Sequence, residues 1–143
     1  EKGYIIVGQD TDGSVTPAGL GMDWIVSKTK DFIGKRSLVR ADTLRTNRKQ
    51  LVGLVTDQPG VVLPEGTQLV NEPSTVYPVP MTGHVTSSYY SPILGHSIAL
   101  ALIKGGHSRL GASVYAPTLD GQLIKATITS PVFYDPENKL HKT

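Results

Sequence analysis

A chain of 143 residues has room for one domain of ordinary size, or for a domain plus a fragment of another. With no cysteine it can form no disulfide, thiolate nucleophile or cysteine metal site, and that usage agrees with a cytoplasmic location. A net charge of +2, 38% apolar residues, 15 glycines and 10 prolines indicate a turn-rich globular chain of short strands; no apolar run approaches the roughly 20 residues that cross a bilayer.

The first 46 residues read as the end of something larger, because their few apolar runs cannot form a core alone. The first residue is Glu rather than Met, as in a processed or excised piece. Tyr4 to Val7 and Trp24 to Val26 are short apolar runs bounded by turn residues and are expected to be strands. Thr16-Pro17 suits a single helical turn, with Thr as cap and Pro in the first position. Asp31 to Leu44 is the best helix candidate, starting near Gly34, with Phe32, Leu38, Ala41 and Leu44 forming an apolar stripe. Eight of the 14 basic residues fall between Lys28 and Lys49, against only Asp31 and Asp42. Such a segment is either a solvated face or an attractor for an anion.

After Asn47 the period changes to two, and residues 47–143 read as a complete β-domain. Gln50 to Thr56 is a strand, and Val61 to Val70 holds another, broken by Pro64-Glu65-Gly66. Residues 72–80, with three prolines, are an irregular or edge connection. His84 to Tyr90 is rich in β-branched and aromatic residues, and Ser91-Pro92 is a turn. Ile98 to Ile103, IALALI, is too short for a self-capped helix and too apolar for a strand with one wet face. It is expected to be a strand covered on both sides, at the centre of a closed β structure. Gly105-Gly106 ends it. Ala112 to Tyr115, a turn at Leu119-Asp120-Gly121, and Gln122 to Ser130 complete the set, with Ile124, Ala126 and Ile128 on one face. The expected fold is mainly β, a six-stranded barrel preceded by a short α/β segment. The tail from Asp135 is expected to be loose.

Local motifs for catalysis are weak. Ser27-Lys28-Thr29-Lys30 matches S-x-x-K without its companions, and Gly34-Lys35 lacks the rest of a phosphate loop. The histidines His84, His96, His107 and His141 show no metal-ligand spacing, although His84 and His96 could meet across the central hairpin. Glu1 beside the Tyr4 run is more suggestive, since a carboxylate next to a ring often holds a heterocycle with adjacent N–H donors. The plain alternative is a solvated N-terminal Glu.

Taken in order, EKGYIIVGQD, Thr16-Pro17, Trp24, KDFIGKRSL, RKQLVGLV, GHVTSSYYSP, LGHSIALALI and Gly111 to Val114 resemble the aminomethyltransferase (glycine cleavage T-protein) family of folate enzymes. The resemblance spans nearly the whole chain, and it implies that family's C-terminal β-barrel. Within the family, VYPVPMTGHVTSSYYSP and PVFYDPEN look most like the α-subunit branch of the heterotetrameric sarcosine oxidases, with dimethylglycine dehydrogenases and the T-protein itself as near relatives. That branch implies capture of the one-carbon unit of oxidised sarcosine on tetrahydrofolate, giving 5,10-methylenetetrahydrofolate and glycine. It also implies FAD, FMN and NAD in the complete complex but not in this segment. The implied partners are the preceding part of the same subunit and the other sarcosine oxidase subunits.

Carried over by position, Glu1 matches the glutamate that hydrogen-bonds the pterin edge, where a carboxylate can accept two parallel N–H bonds. Lys28 or Lys30 stands where the T-protein has an Arg for the folate glutamate, so bidentate pairing is lost. Tyr134 lies near a C-terminal aromatic of the site. The family's catalytic Asp has no counterpart in this sequence, so no catalytic residue and no metal ligand is assigned, and the segment alone is expected to be inactive. Two other readings stand beside this one. One is a basic barrel for RNA or another anion, weakened because the 28–49 segment carries only Phe32 for base stacking. The other is a purely structural barrel, which predicts an exposed apolar patch on residues 1–30. No nucleic-acid or membrane partner is expected.

Overall fold

The computed structural model describes residues 1–73 and 78–141. Six antiparallel strands close into a barrel: β1 (Lys49–Thr56), β2 (Gln68–Val70), β3 (Met81–Ser91), β4 (His96–Lys104), β5 (Ser113–Pro117) and β6 (Leu123–Thr129). Their order around the barrel is β1-β4-β3-β2-β5-β6. Every strand is paired on both sides, β2 and β5 through the single pair Val70 and Tyr115. The mainly β, six-stranded barrel read from the sequence is therefore the fold.

Alternation explains which side chains fill it. On β4, Ala99, Ala101 and Ile103 point inward with Val52, Leu54, Val85, Val114, Ala126 and Ile128. Leu100 and Leu102 point outward and join Leu51 on the outer wall. There Ile5, Val15, Leu20 and Phe133 cover them. IALALI is thus buried on both faces, one by the barrel interior and the other by the N-terminal segment and residue 133.

Strand β3 carries a bulge between Val85 and Ser87, where Thr86 is the extra residue. The bulge shifts the residues beyond it, so Ser91 pairs with His96 while His84 pairs with Leu102. His84 and His96 consequently sit at opposite ends of the hairpin and do not meet. The turn after β5 closes as expected, with the Thr118 N–H on the Gln122 carbonyl at 2.9 Å.

The N-terminal segment differs from its expected elements. Tyr4 to Val7 is not a strand: its one strand-like pairing among the described residues is an isolated bridge from Val7 to Thr11, and the Ile6 N–H is taken by the Asp10 carboxylate. Trp24 lies in a single 3₁₀ turn, Asp23–Ile25, rather than a strand. Thr16-Pro17 does lead into a turn, Ala18–Leu20, with the Thr16 hydroxyl accepting the Gly19 N–H at 3.1 Å. Over 31–44 the only helical piece is a 3₁₀ turn, Lys35–Val39. Phe32, Val39 and Leu44 are exposed, so no packed face supports a helix of that length. The connection over 72–80 falls partly on residues 74–77, outside the described residues. No helix among the described residues is long and apolar enough to cross a membrane.

Candidate functional site

The N-terminal segment is fixed to the barrel by polar contacts that begin at Asp10. Its side chain is fully buried, and it accepts from the Ile6 N–H at 2.8 Å, from the Ser87 hydroxyl at 2.7 Å and from the Thr86 hydroxyl. Thr86 is the bulged residue, so the irregularity in β3 turns two consecutive hydroxyls toward one carboxylate. Gln9 adds a bond from its amide to the Thr86 carbonyl at 3.0 Å. Nothing local in the sequence distinguishes Asp10 from Asp12 or Asp23. A QD pair facing a TSS run is visible only once the fold is known.

Glu1 is seated by the same strand further along. Its Oε1 accepts from the Ser91 hydroxyl at 2.5 Å, and Ser91 is 1% exposed. The Glu1 carbonyl accepts the Phe133 N–H at 2.8 Å and the Tyr134 N–H at 3.2 Å. Lys2 then bonds Asp135 Oδ2 at 2.6 Å and the Asn138 side chain at 2.9 Å. The segment from Pro131 to Asn138 is accordingly a strap laid against residues 1–3, and the loose tail expected from Asp135 is tied down through Asn138. The Lys2 ammonium holds the Asp135 carboxyl below its ordinary pKa, helped by the N–H groups of Lys139 and Leu140. Gly3 makes this close packing feasible. Its φ is +70°, and a Cβ there would lie 2.6 Å from the Pro131 carbonyl oxygen.

Two spaces meet at Gly3, and Glu1 lines only the smaller. Between Glu1, Gly3, Ser87, Tyr89 and Phe133 is a cavity of about 10 Å³, enough for one water. On the other side of Gly3, a groove of about 470 Å³ is lined by Tyr4, Leu20, Met22, Trp24, Leu51 and Val132. Small-molecule sites run to roughly 300–1,000 Å³, so only the groove has the volume for one. Its aromatics are open, with Tyr4 73% and Trp24 81% exposed. Ile6, Val7 and Ile25 extend the exposed apolar surface, the patch predicted for residues 1–30.

Among the sequence-predicted site residues, Glu1 and Tyr134 come together through the strap. Lys28 and Lys30 do not join them in any hydrogen bond or ion pair among the described residues. Both are exposed on the loop after Trp24, where their carbonyls accept from Lys35 Nζ at 3.5 and 2.8 Å. The rest of the basic segment is partly neutralised: Arg45 and Arg48 pair with Asp42, and Lys35 with Asp31. Among the described residues, no cluster of three or more His, Asp or Glu could hold a metal ion. His84 instead receives a bond from Lys49 Nζ on Nδ1 at 3.1 Å. Burial first, and then the Lys49 charge, push the His84 pKa below its ordinary value, against a smaller opposing pull from Asp12.

Residues 49–135 match the glycine cleavage T-protein C-terminal barrel domain. The chain belongs to this family. Among its curated relatives, a sarcosine oxidase subunit alpha from Corynebacterium sp. (strain P-1) is 51% identical over 139 residues, which is 96% of this chain and 14% of that protein. The subunit alpha of Rhizobium meliloti (strain 1021) is 38% identical over 99% of this chain and 14% of its own length. An aminomethyltransferase from Thermotoga petrophila is 33% identical over 94% of this chain and 34% of that protein. The chain thus spans a small part of these relatives. The crystal structure of glycine cleavage system aminomethyltransferase T from Bartonella henselae superposes with a TM-score of 0.73 at 20% identity, covering 90% of this chain and 34% of that one. That likeness is one of fold.

Proposed function

We propose that this chain is the barrel end of a sarcosine oxidase α-type subunit and contributes one side of a tetrahydrofolate site. In this reading residues 1–46 complete a folate-binding domain, residues 47–143 are the barrel domain, and the subunit works in the cytoplasm. The observation that carries the reading is the seating of Glu1. Ser91 uses one lone pair of its carboxylate, and a carboxylate offers about four acceptor sites. The remaining sites suit the adjacent N–H donors of a pterin edge, so the acceptor chemistry fits the ligand. Tetrahydrofolate, when bound, supplies the two nitrogens that take up the one-carbon unit of oxidised sarcosine, giving 5,10-methylenetetrahydrofolate and glycine. The chain's own residues bind and orient. Glu1 fixes the pterin, Tyr134 stands beside it on the strap, and Lys28 or Lys30 meets the folate glutamate. In this reading oxidation of sarcosine belongs to FAD, FMN and NAD in other parts of the complex; the likeness to relatives named sarcosine oxidase subunit alpha supports the assignment to that kind of subunit.

A second reading, a structural barrel that closes over a site built elsewhere, draws on the small volume beside Glu1. Calorimetric titration with 5-formyltetrahydrofolate, a stable stand-in, separates the two. Micromolar binding that weakens about tenfold or more in Glu1→Gln is expected from the first. Absence of binding, both in this chain and in the longest native polypeptide that carries it, would leave the structural reading.

A further inference from the structure

We infer that Ser91 is a positioning residue for the folate site, acting through Glu1; the inference rests on the reading just given. Ser91 is the last residue of β3, at the corner where the chain turns toward β4. Its side chain is almost fully buried, and its one hydroxyl proton goes to Glu1 Oε1 at 2.5 Å. The Ser91 Oγ in turn accepts the Leu94 N–H at 3.2 Å, which fixes the hydroxyl from the turn side. The donor direction is therefore set by the barrel, and Glu1 does not choose it.

A glutamate has three side-chain torsions, and one free in solution samples many orientations. Here the backbone of Glu1 is held by two N–H groups of the strap, and its carboxylate by Ser91. Both ends of the side chain are fixed to rigid parts of the fold. A planar two-donor edge needs the accepting carboxylate in its own plane. That orientation is lost if the carboxylate turns about its last torsion. The bond from Ser91 restrains that turn. Glu1 and Ser91 are 90 residues apart in the chain, so the pairing is a product of the fold. The bulge at Thr86 serves it as well, because it sets which face of β3 the residues up to Ser91 present.

The test measures discrimination between two ligands rather than affinity alone. The probes are 5-formyltetrahydrofolate and its counterpart with a methyl group in place of the 2-amino group, titrated into the longest native polypeptide that carries this segment. The wild type is expected to prefer the amino-bearing ligand by about tenfold or more, and Glu1→Gln to lose most of that preference. Ser91→Ala should reduce the preference severalfold, mainly by weakening the amino-bearing ligand. Ser91→Cys, similar in size with a far weaker donor, should do the same and guards against a fold defect peculiar to alanine. Equal weakening of both ligands, or no change in either, would overturn the role of Ser91 while Glu1→Gln still upholds the folate reading. A wild type that binds neither ligand would overturn the folate reading and this inference together, and one that binds both without preference would overturn the role of Glu1 and with it this inference.

Discussion

Gly3 carries more of the architecture than its size suggests. Its left-handed backbone and the 2.6 Å approach of the Pro131 carbonyl leave no room for a side chain. Gly3→Ala is expected to destabilise the protein by on the order of 2 kcal/mol and to loosen the strap, read as a lower melting temperature. Asp10 should be costlier to lose. Asp10→Ala leaves the buried Ser87 hydroxyl and the Ile6 N–H without their acceptor, while Thr86 keeps the Leu100 carbonyl at 3.2 Å, and is expected to cost roughly 3 kcal/mol, measured by urea unfolding. His84 and Asp135 each contribute to the pH dependence of stability, with opposite chemistry. His84 is held below its ordinary pKa, so the unfolded chain binds a proton first as the pH falls. Stability should therefore decline from about pH 6.5, the unfolded value, and level off below the folded one, and His84→Gln should flatten that step. Asp135 is also depressed, but as a carboxylate: its contribution is present above about pH 4 and is lost as the pH falls through its folded pKa. Lys2→Ala should remove most of that acid step.

Among the elements, β4 was the easiest to read and the 31–44 segment the hardest. IALALI lacks any polar alternation because both its faces are covered, and composition alone carries that fact. What composition leaves open is the identity of the cover: Ile5, Val15 and Leu20 belong to a segment that contributes no strand to the barrel. Over 31–44 the apolar spacing is helical, yet spacing is only a precondition. With Phe32, Val39 and Leu44 facing outward, no burial stabilises the helix, and Gly34 at φ +92° breaks its start. Glu1 and Tyr134 could be selected by family likeness, whereas Ser91 and Asp10 could not, because their meaning lies in contacts across 76 to 90 residues of sequence. The outer leucines give a test at this scale. Leu102→Ala should cost about 2–5 kcal/mol if it leaves a cavity. Hydrogen exchange should speed up at the amides of Asp10 and Leu20 more than within β1 and β4, since the cover loosens before the barrel opens.

For the molecule as a whole, the exposed apolar surface around Tyr4, Val7 and Trp24 offers a built-in reporter. Trp24 is the single tryptophan of the chain and is 81% exposed. Its fluorescence in this chain alone should resemble that of free indole in water. A blue shift and loss of quenching are expected in any longer polypeptide that covers this face, and an unchanged spectrum there would show the face stays open. The strap has a consequence of another kind, in the order of folding events. Hairpin β3–β4 joins across a short turn, but Lys2 must find Asp135 across 133 residues. Closing so large a loop in an unfolded chain costs about 4 kcal/mol of entropy, so the contact becomes favourable only after the barrel has already brought its ends near. Glu1 should therefore be seated last, and a refolding chain will recover its barrel before it recovers any affinity that depends on that carboxylate.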